Sequence, residues 1–265
     1  MEQARGARMV RAGGEGYDRF MGRYSRALAP PFADAAGVAA GQVALDVGCG
    51  AGALTEVLVE RLGVAAVHAV DPSPSFVEAC AARLPGVDVR AGRAEDLPVA
   101  DAAADVTLAQ LVLPFVDDAP AAVAEMRRAT RPGGTVAACI WDVEEGMQML
   151  RAYWDAALAL DPSAPDEART VPLSRDGEVE RIFRGAGLVE LTGCTLEVRS
   201  AYSGFDELWA GFQEGIGPAG VHCASLTAQD RERLRAELYR VLGRPRGGFT
   251  LGALARCTVG RSPLP

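Results

Sequence analysis

The sequence has 265 residues and a mass of 27.7 kDa, with 49% hydrophobic and 23% charged residues. That profile predicts a soluble globular protein with room for one large α/β domain and too little length for two of average size. Its 27 basic residues, all Arg, stand against 35 acidic ones, a net charge of −8. No run of about 18 apolar residues offers a membrane span, and the opening MEQARGARMVRAGGEG lacks the apolar core of a signal peptide.

The first 26 residues are rich in Gly and Arg, and a helix is predicted from Tyr24 to Ala36, broken at Pro30-Pro31. QVALDV (42–47) is a short apolar run that reads as a buried strand. GCGAG follows at 48–52, and ALTEVLVERL (53–62) has helical apolar spacing. AAVHAV (65–70) reads as a second strand ending at Asp71, PSFVEACAARL (74–84) as a helix, and GVDVR (86–90) as a third strand. DVTLAQLVL (105–113) reads as a fourth strand ending at Pro114. APAAVAEMRRAT (119–130) is an amphipathic helix that RPGG (131–134) breaks, and TVAACIW (135–141) is a fifth strand.

The second half is less regular. Helices are predicted at 147–160 and 176–186, a strand at 188–199, and mostly helix over 204–242 with a break at GIGPAG (215–220). A last strand covers 247–260. Strands alternate with helices at short spacing, and parallel strands need such crossover helices. The strand runs are apolar without alternation, as in sheets covered on both faces. The fold class is therefore α/β, a doubly wound parallel sheet.

The strongest local signal is Leu45-Asp46-Val47-Gly48-Cys49-Gly50-Ala51-Gly52, where a strand enters a glycine-rich turn and a helix leaves it. Glycines let the backbone turn tightly and approach a ligand, and the helix start offers free N–H groups. Gly48-x-Gly50-x-x-Ala53 also fits the dinucleotide frame, and Asp71 stands where an acidic residue takes ribose hydroxyls in either class. The loop and Asp71 together indicate a nucleoside cofactor. Three features separate the classes: the carboxylate of Asp46 two residues before the first glycine, the GxGxG pattern completed by Gly52, and the helix–RPGG–strand junction at 131–134. A nicotinamide oxidoreductase would also need a Tyr-x-x-x-Lys or comparable dyad, and the chain has no Lys.

Residues 42–142 resemble the class I S-adenosylmethionine (SAM)-dependent methyltransferases, in the branch of ubiquinone/menaquinone-type and other small-molecule enzymes. The resemblance reaches weakly to YDRFMGRYSRALAP (17–30), similar to a lid segment, and beyond 145 is only architectural. It implies a Rossmann-like, seven-stranded, mostly parallel sheet with the last strand antiparallel. The chain would divide into a helical lid (1–36), a SAM-binding core (37–145) and later strands with helical substrate-recognition insertions (146–265), all in one structural domain.

The resemblance also implies the cofactor, SAM, with S-adenosylhomocysteine (SAH) as product, and a set of binding residues. Gly48, Gly50 and Gly52 would pass beneath the methionine part, with the Cys49 backbone, and Asp46 would face the ammonium group. Asp71 would take both ribose hydroxyls, with Pro72 and Ser73 flanking the adenine. Arg93 stands where relatives often have an acid, so the Ala94 backbone and the Glu95 carboxylate become the adenine-side contacts. Gln110 and Leu111 would line the methyl-donor site. Tyr17, Arg23 and Tyr24 would close over the cofactor, Arg23 pairing its carboxylate.

In-line transfer from a sulfonium needs positioning above all, and a base only for weakly acidic acceptors. His222, Asp142, Glu144, Glu145 and Tyr17 are the nearest candidates, His68 reads as a packed core histidine, and no catalytic base is assigned. Phe205, Trp209 and Phe212 read as core at helical spacing. If aromatic residues of the later segments face the pocket, the acceptor is an apolar or aromatic small molecule of quinone or natural-product type. A SAM-binding, non-methylating cyclase or binding module remains the alternative.

Residues 27–224 carry 13 Arg and 29 acids, a net −16, which argues against nucleic acid, while 1–26 and 225–265 are net +3 and +5. The six Cys are at least 29 residues apart and His occurs twice, so no zinc or CxxC motif exists and no metal is expected. Free thiols fit a cytoplasmic protein, monomeric or homodimeric.

Overall fold

The computed structural model describes residues 21–173 and 175–265. In chain order the elements are α1 (Arg23–Ala35), β1 (Ala44–Val47), α2 (Ala53–Leu62), β2 (Val67–Asp71), α3 (Pro74–Arg83), β3 (Asp88–Ala91), β4 (Ala104–Gln110), α4 (Ala119–Ala129) and β5 (Thr130–Trp141). They continue as α5 (Gln148–Leu160), α6 (Glu178–Gly185), β6 (Val189–Tyr202), α7 (Phe205–Gln213), α8 (Gly217–Ser225), α9 (Ala228–Val241) and β7 (Phe249–Arg261).

The seven strands form one sheet in the order β3-β2-β1-β4-β5-β7-β6. The first five pair in parallel, and β7 runs antiparallel to both β5 and β6. The strand order reverses between β1 and β4. In open α/β sheets that switch point leaves a crevice at the carboxyl ends of the strands, where ligands bind.

The two faces are covered by different helices. Ala44, Leu108, Ala137 and Cys139 pack with Leu28 and Phe32 of α1 and Leu54 and Leu58 of α2. Leu45, Val47, Ala109 and Ile140 pack with Val123 and Met126 of α4 and Phe183 of α6. Tyr153, Trp154, Leu208, Phe212, Cys223 and Leu234 join the first face, so α5 and α7–α9 extend the α1 layer over the antiparallel end of the sheet. Phe205, Trp209 and Phe212 are all buried.

Four local expectations change. Helix α1 runs unbroken through Pro30 and Pro31. Each proline removes a backbone donor and opposes the helix. Burial of Tyr24, Leu28, Ala29, Phe32 and Ala33 outweighs that, and Arg61 donates to Pro30 O (3.1 Å) and pairs with Asp34 (2.6 Å). The fourth strand stops at Gln110, because Leu111 turns into left-handed space (φ 64°) and Leu113–Phe115 is a 3-10 turn. RPGG does follow the end of α4, but it is a bulge inside β5, which starts at Thr130 and not at Thr135. Ala104 pairs with Thr130 and Val106 with Thr135, so four residues of β5 oppose Asp105 alone. That bulge is held by Arg131 on Asp105 and by Gly133 N–H on Ser262 O (2.9 Å). Finally, His68 is half-exposed on β2 and bonded to Asp88 (2.9 Å) on the neighbouring strand, not packed in the core.

Phe32 is wholly buried beneath the two prolines. Phe32→Ala should cost about 3–5 kcal/mol, read as a lowered denaturant midpoint with an unchanged slope.

Candidate functional site

The turn after β1 is tied to the end of β2. The N–H groups of Gly48 and Cys49 both donate to Val70 O (2.7 and 3.1 Å). The Asp71 carboxylate accepts from Gly50 N–H on one oxygen (3.0 Å) and from Ser73 N–H on the other (2.9 Å). Gly48, Gly50 and Gly52 all have positive φ (73°, 53° and 89°), which side chains rarely adopt. Their surroundings differ. A Cβ on Gly48 would lie 2.4 Å from Val112 Cγ2, and one on Gly52 3.1 Å from Cys80 Sγ. A Cβ on Gly50 would meet nothing within 4 Å, so the loop opens there.

Asp46 is the buried counterpart of this opening, at 1% exposure. Its Oδ2 accepts from the Thr55 hydroxyl of α2 (2.6 Å), while Oδ1 is buried with no partner. Burial, with a smaller contribution from the nearby Asp71, pushes its carboxyl up to about 7. Burial also raises Asp71, against the two backbone bonds that it accepts.

Two further buried polar atoms lack partners among the described residues: Gln110 Oε1 and Trp141 Nε1. Asp46 pairs in register with Leu108 on β4, and Gln110 pairs with Cys139 on β5, two residues before Trp141. Side chains two apart on a strand share a face. The three orphans therefore stand on three adjacent strands, at one end of the sheet, on the face that α1 covers. Native proteins rarely leave buried polar atoms unbonded, and three together need a physical reason.

The remaining predicted residues fall into separate places. Pro72 is exposed, and Ser73 precedes α3. Leu111 follows Gln110, and its N–H donates to Cys139 O (2.9 Å). Ala94 is buried after β3. Glu95 accepts from Asp117 N–H (2.8 Å) and Asp118 N–H (3.3 Å), which binds the β3 loop to the β4 loop, while Arg93 pairs with Asp117 (2.6 Å). Tyr24 is buried and bonded to the Tyr202 hydroxyl (3.1 Å), which donates to Met149 Sδ (3.2 Å). Arg23 lies over the Tyr202 ring (4.5 Å) and pairs with Glu207, holding that carboxyl down at about 2. It is thus engaged at the end of β6 and not at the glycine loop. Tyr17 lies outside the described residues.

The candidate bases are similarly placed. Asp142 follows Trp141 and binds Arg256 (3.0 Å) and the N–H groups of the exposed Glu144 and Glu145. His222 sits within α8, on the Tyr153 hydroxyl (2.8 Å), where burial lowers its pKa. Two open clefts of about 500 and 1030 Å³ lie elsewhere, along α4 with α6 and along α7 with α9. Among the described residues no cluster of three or more His, Cys, Asp or Glu is placed to hold a metal ion, and no helix is long and apolar enough to cross a membrane.

Sequence reasoning missed Thr55, Val112, Met149, Trp141 and Tyr202. Trp141 had a usable signal, since it ends an apolar run where a strand meets the crevice.

Residues 45–138 match the family model of the methyltransferase domain. Over that segment the chain is similar to the SAM-dependent methyltransferases that its motifs resemble. SAM is the cofactor of these methyltransferases. The malonyl-[acyl-carrier protein] O-methyltransferase of Serratia marcescens is 36% identical over 96 residues, 36% of this chain and 37% of that protein. A Mycobacterium ulcerans protein named "Probable phthiotriol/phenolphthiotriol dimycocerosates methyltransferase 2" is 36% identical over 121 residues, 45% of each chain. The chain thus spans less than half the length of these curated relatives. Among solved structures, the phosphoethanolamine N-methyltransferase 2 of Haemonchus contortus, bound to phosphomonomethylethanolamine and SAH, shares the fold at TM-score 0.55. It is 15% identical, with 94% of this chain and 57% of that one covered.

Gly48→Ala places a methyl group against Val112 and Gly50→Ala places one in open space, at similar positive φ. In a urea series Gly50→Ala should cost only the left-handed penalty of about 1–2 kcal/mol, and Gly48→Ala clearly more.

Proposed function

We propose that the protein transfers a methyl group from SAM to a small-molecule acceptor. The observation that carries this reading is the unpartnered Asp46 oxygen, buried beside the open Gly50 face and next to the Asp71 strand end. A buried carboxylate oxygen without a donor is costly unless a cationic or hydrogen-bonding group completes it. The α-ammonium of a nucleoside amino acid supplies that group.

The residues fit the cofactor in kind. Asp46 receives the ammonium. Gly48, Gly50 and Gly52, with the Cys49 backbone, give a wall without side chains. Asp71, held in place by its two backbone bonds, turns its remaining lone pairs to the ribose hydroxyls. Pro72, Ser73, Ala94 and Glu95 form the adenine side, and Gln110 and Leu111 border the reacting end. When bound, SAM supplies an electrophilic methyl group, so the protein's part is to hold the acceptor in line.

The relatives' names describe methyltransferases of malonyl-[acyl-carrier protein] and of phthiotriol/phenolphthiotriol dimycocerosates, which supports an acceptor other than nucleic acid. SAH should raise the melting temperature of the wild type, because it binds only the folded state. Asp71→Ala should weaken SAH by about tenfold or more. No shift with millimolar SAH would remove the reading. SAH binding without a methyl gained by any acceptor, by mass spectrometry, would indicate a non-methylating relative.

The pH dependence follows from Asp46. Its folded value near 7 lies above the ordinary 3.8, so its proton stabilises the ligand-free protein at low pH, and that contribution fades as pH rises through about 7. An ammonium ligand needs the ionised form. SAH affinity should therefore rise with pH, by up to about tenfold per unit below pH 7, and level off above it. In calorimetric titrations Asp46→Asn should bind more weakly and lose that slope.

A further inference from the structure

We propose that Gln110 and Trp141 together seat the methyl acceptor, and that the acceptor presents a neutral hydroxyl group on an aromatic or apolar body, with that oxygen receiving the methyl group. This rests on the methyl-transfer reading above. Among the described residues Trp141 Nε1 is a buried donor without an acceptor, and Gln110 Oε1 is a buried acceptor without a donor. They stand on neighbouring strands, on one face, beneath α1. The two do not bond each other, and a group that both donates and accepts would satisfy both.

The orientation of the amide is settled by its surroundings. Gln110 Nε2 donates to Ser25 O (3.0 Å), and a carbonyl cannot donate, so Oε1 is the free end. The other hydroxyls nearby are engaged, Tyr24 with Tyr202 and Tyr202 with Met149. The Tyr24 ring meets Trp141 edge-on at 6.3 Å. Leu111 is partly buried against the same apolar cluster. The lining is therefore aromatic and apolar, with one donor and one acceptor exposed to a ligand.

Lone pairs decide among acceptor groups. A hydroxyl has one proton, for Gln110 Oε1, and two lone pairs, one for Trp141 N–H and one for the methyl group. An amine nitrogen has one lone pair, which the transfer needs, so Trp141 would stay unbonded. A carboxylate has no proton for Gln110, and Arg23 of α1 is engaged by Glu207. In the step itself the oxygen–methyl bond forms as the carbon–sulfur bond breaks. The electron pair of that bond stays on sulfur, and the hydroxyl proton passes to water along the half-exposed Gln110 side chain.

The test uses protein saturated with SAH and titrated with 4-methylphenol, 4-methylanisole, 4-methylaniline and 4-methylbenzoate, followed by ligand-observed NMR. The phenol should bind, and the other three about tenfold more weakly or worse. Gln110→Leu and Trp141→Phe should each erase that preference, and Trp141→Phe should keep SAH affinity within about twofold of wild type, which also shows that this variant is folded. A wild type without the phenol preference overturns the inference. So does a preference that survives both substitutions, or a tenfold loss of SAH affinity in Trp141→Phe, which would assign the indole N–H to the methyl donor. Absence of SAH binding by the wild type removes the methyl-transfer reading and this inference with it. SAH binding without the preference removes this inference alone.

Discussion

The structure turns on the Asp71 carboxylate. It ends β2, and its two oxygens hold Gly50 of the turn after β1 and Ser73 before α3. Two parallel strands and two helix starts are thereby fixed to one side chain, and the glycine turn keeps its left-handed backbone open. Charge-assisted bonds from backbone N–H groups are among the stronger ones, and here they act in a nearly dry site. The same carboxylate keeps lone pairs free, so the group that shapes the crevice is also available to a ligand.

The crevice is costly to the empty protein. Asp46 is buried with one oxygen unbonded, and its carboxyl is pushed up to about 7 as a result. Gln110 and Trp141 add an amide oxygen and an indole N–H in the same condition. Leu111 adds a non-glycine residue in left-handed space. A fold selected for stability alone would fill or pair these positions. They cluster at the carboxyl ends of β1, β4 and β5, at the switch point of the sheet.

The later segments anchor the helix that covers this end of the sheet. Helix α1 lies across the sheet because Gln110 holds Ser25 from below, while Tyr202 and Glu207 hold Tyr24 and Arg23 from the far edge. Helices α5 and α7–α9 then continue that layer. Some acids of the middle of the chain are paired locally with Arg, among them Glu125 and Asp101 with Arg128, while the net −16 of that stretch remains.

The sequence by itself determined the alternating strands and helices, the glycine turn, and the two acids at strand ends. These are local signals: apolar runs of strand length, glycine where φ must be positive, and a carboxylate at a fixed offset. It also indicated the superfamily, because that motif set is short and contiguous. Only the tertiary structure decided that α1 survives two prolines, since the compensating burial comes from residues distant in sequence. It alone showed RPGG as a bulge, because Asp105 and Ser262 hold it from other strands. It likewise withdrew Arg23 from the glycine loop by supplying Glu207, 184 residues away. Trp141 and Gln110 became a pair only through strand register, which no single-strand pattern encodes. Whether a buried atom lacks a partner depends on everything packed around it, and that is a property of the folded whole.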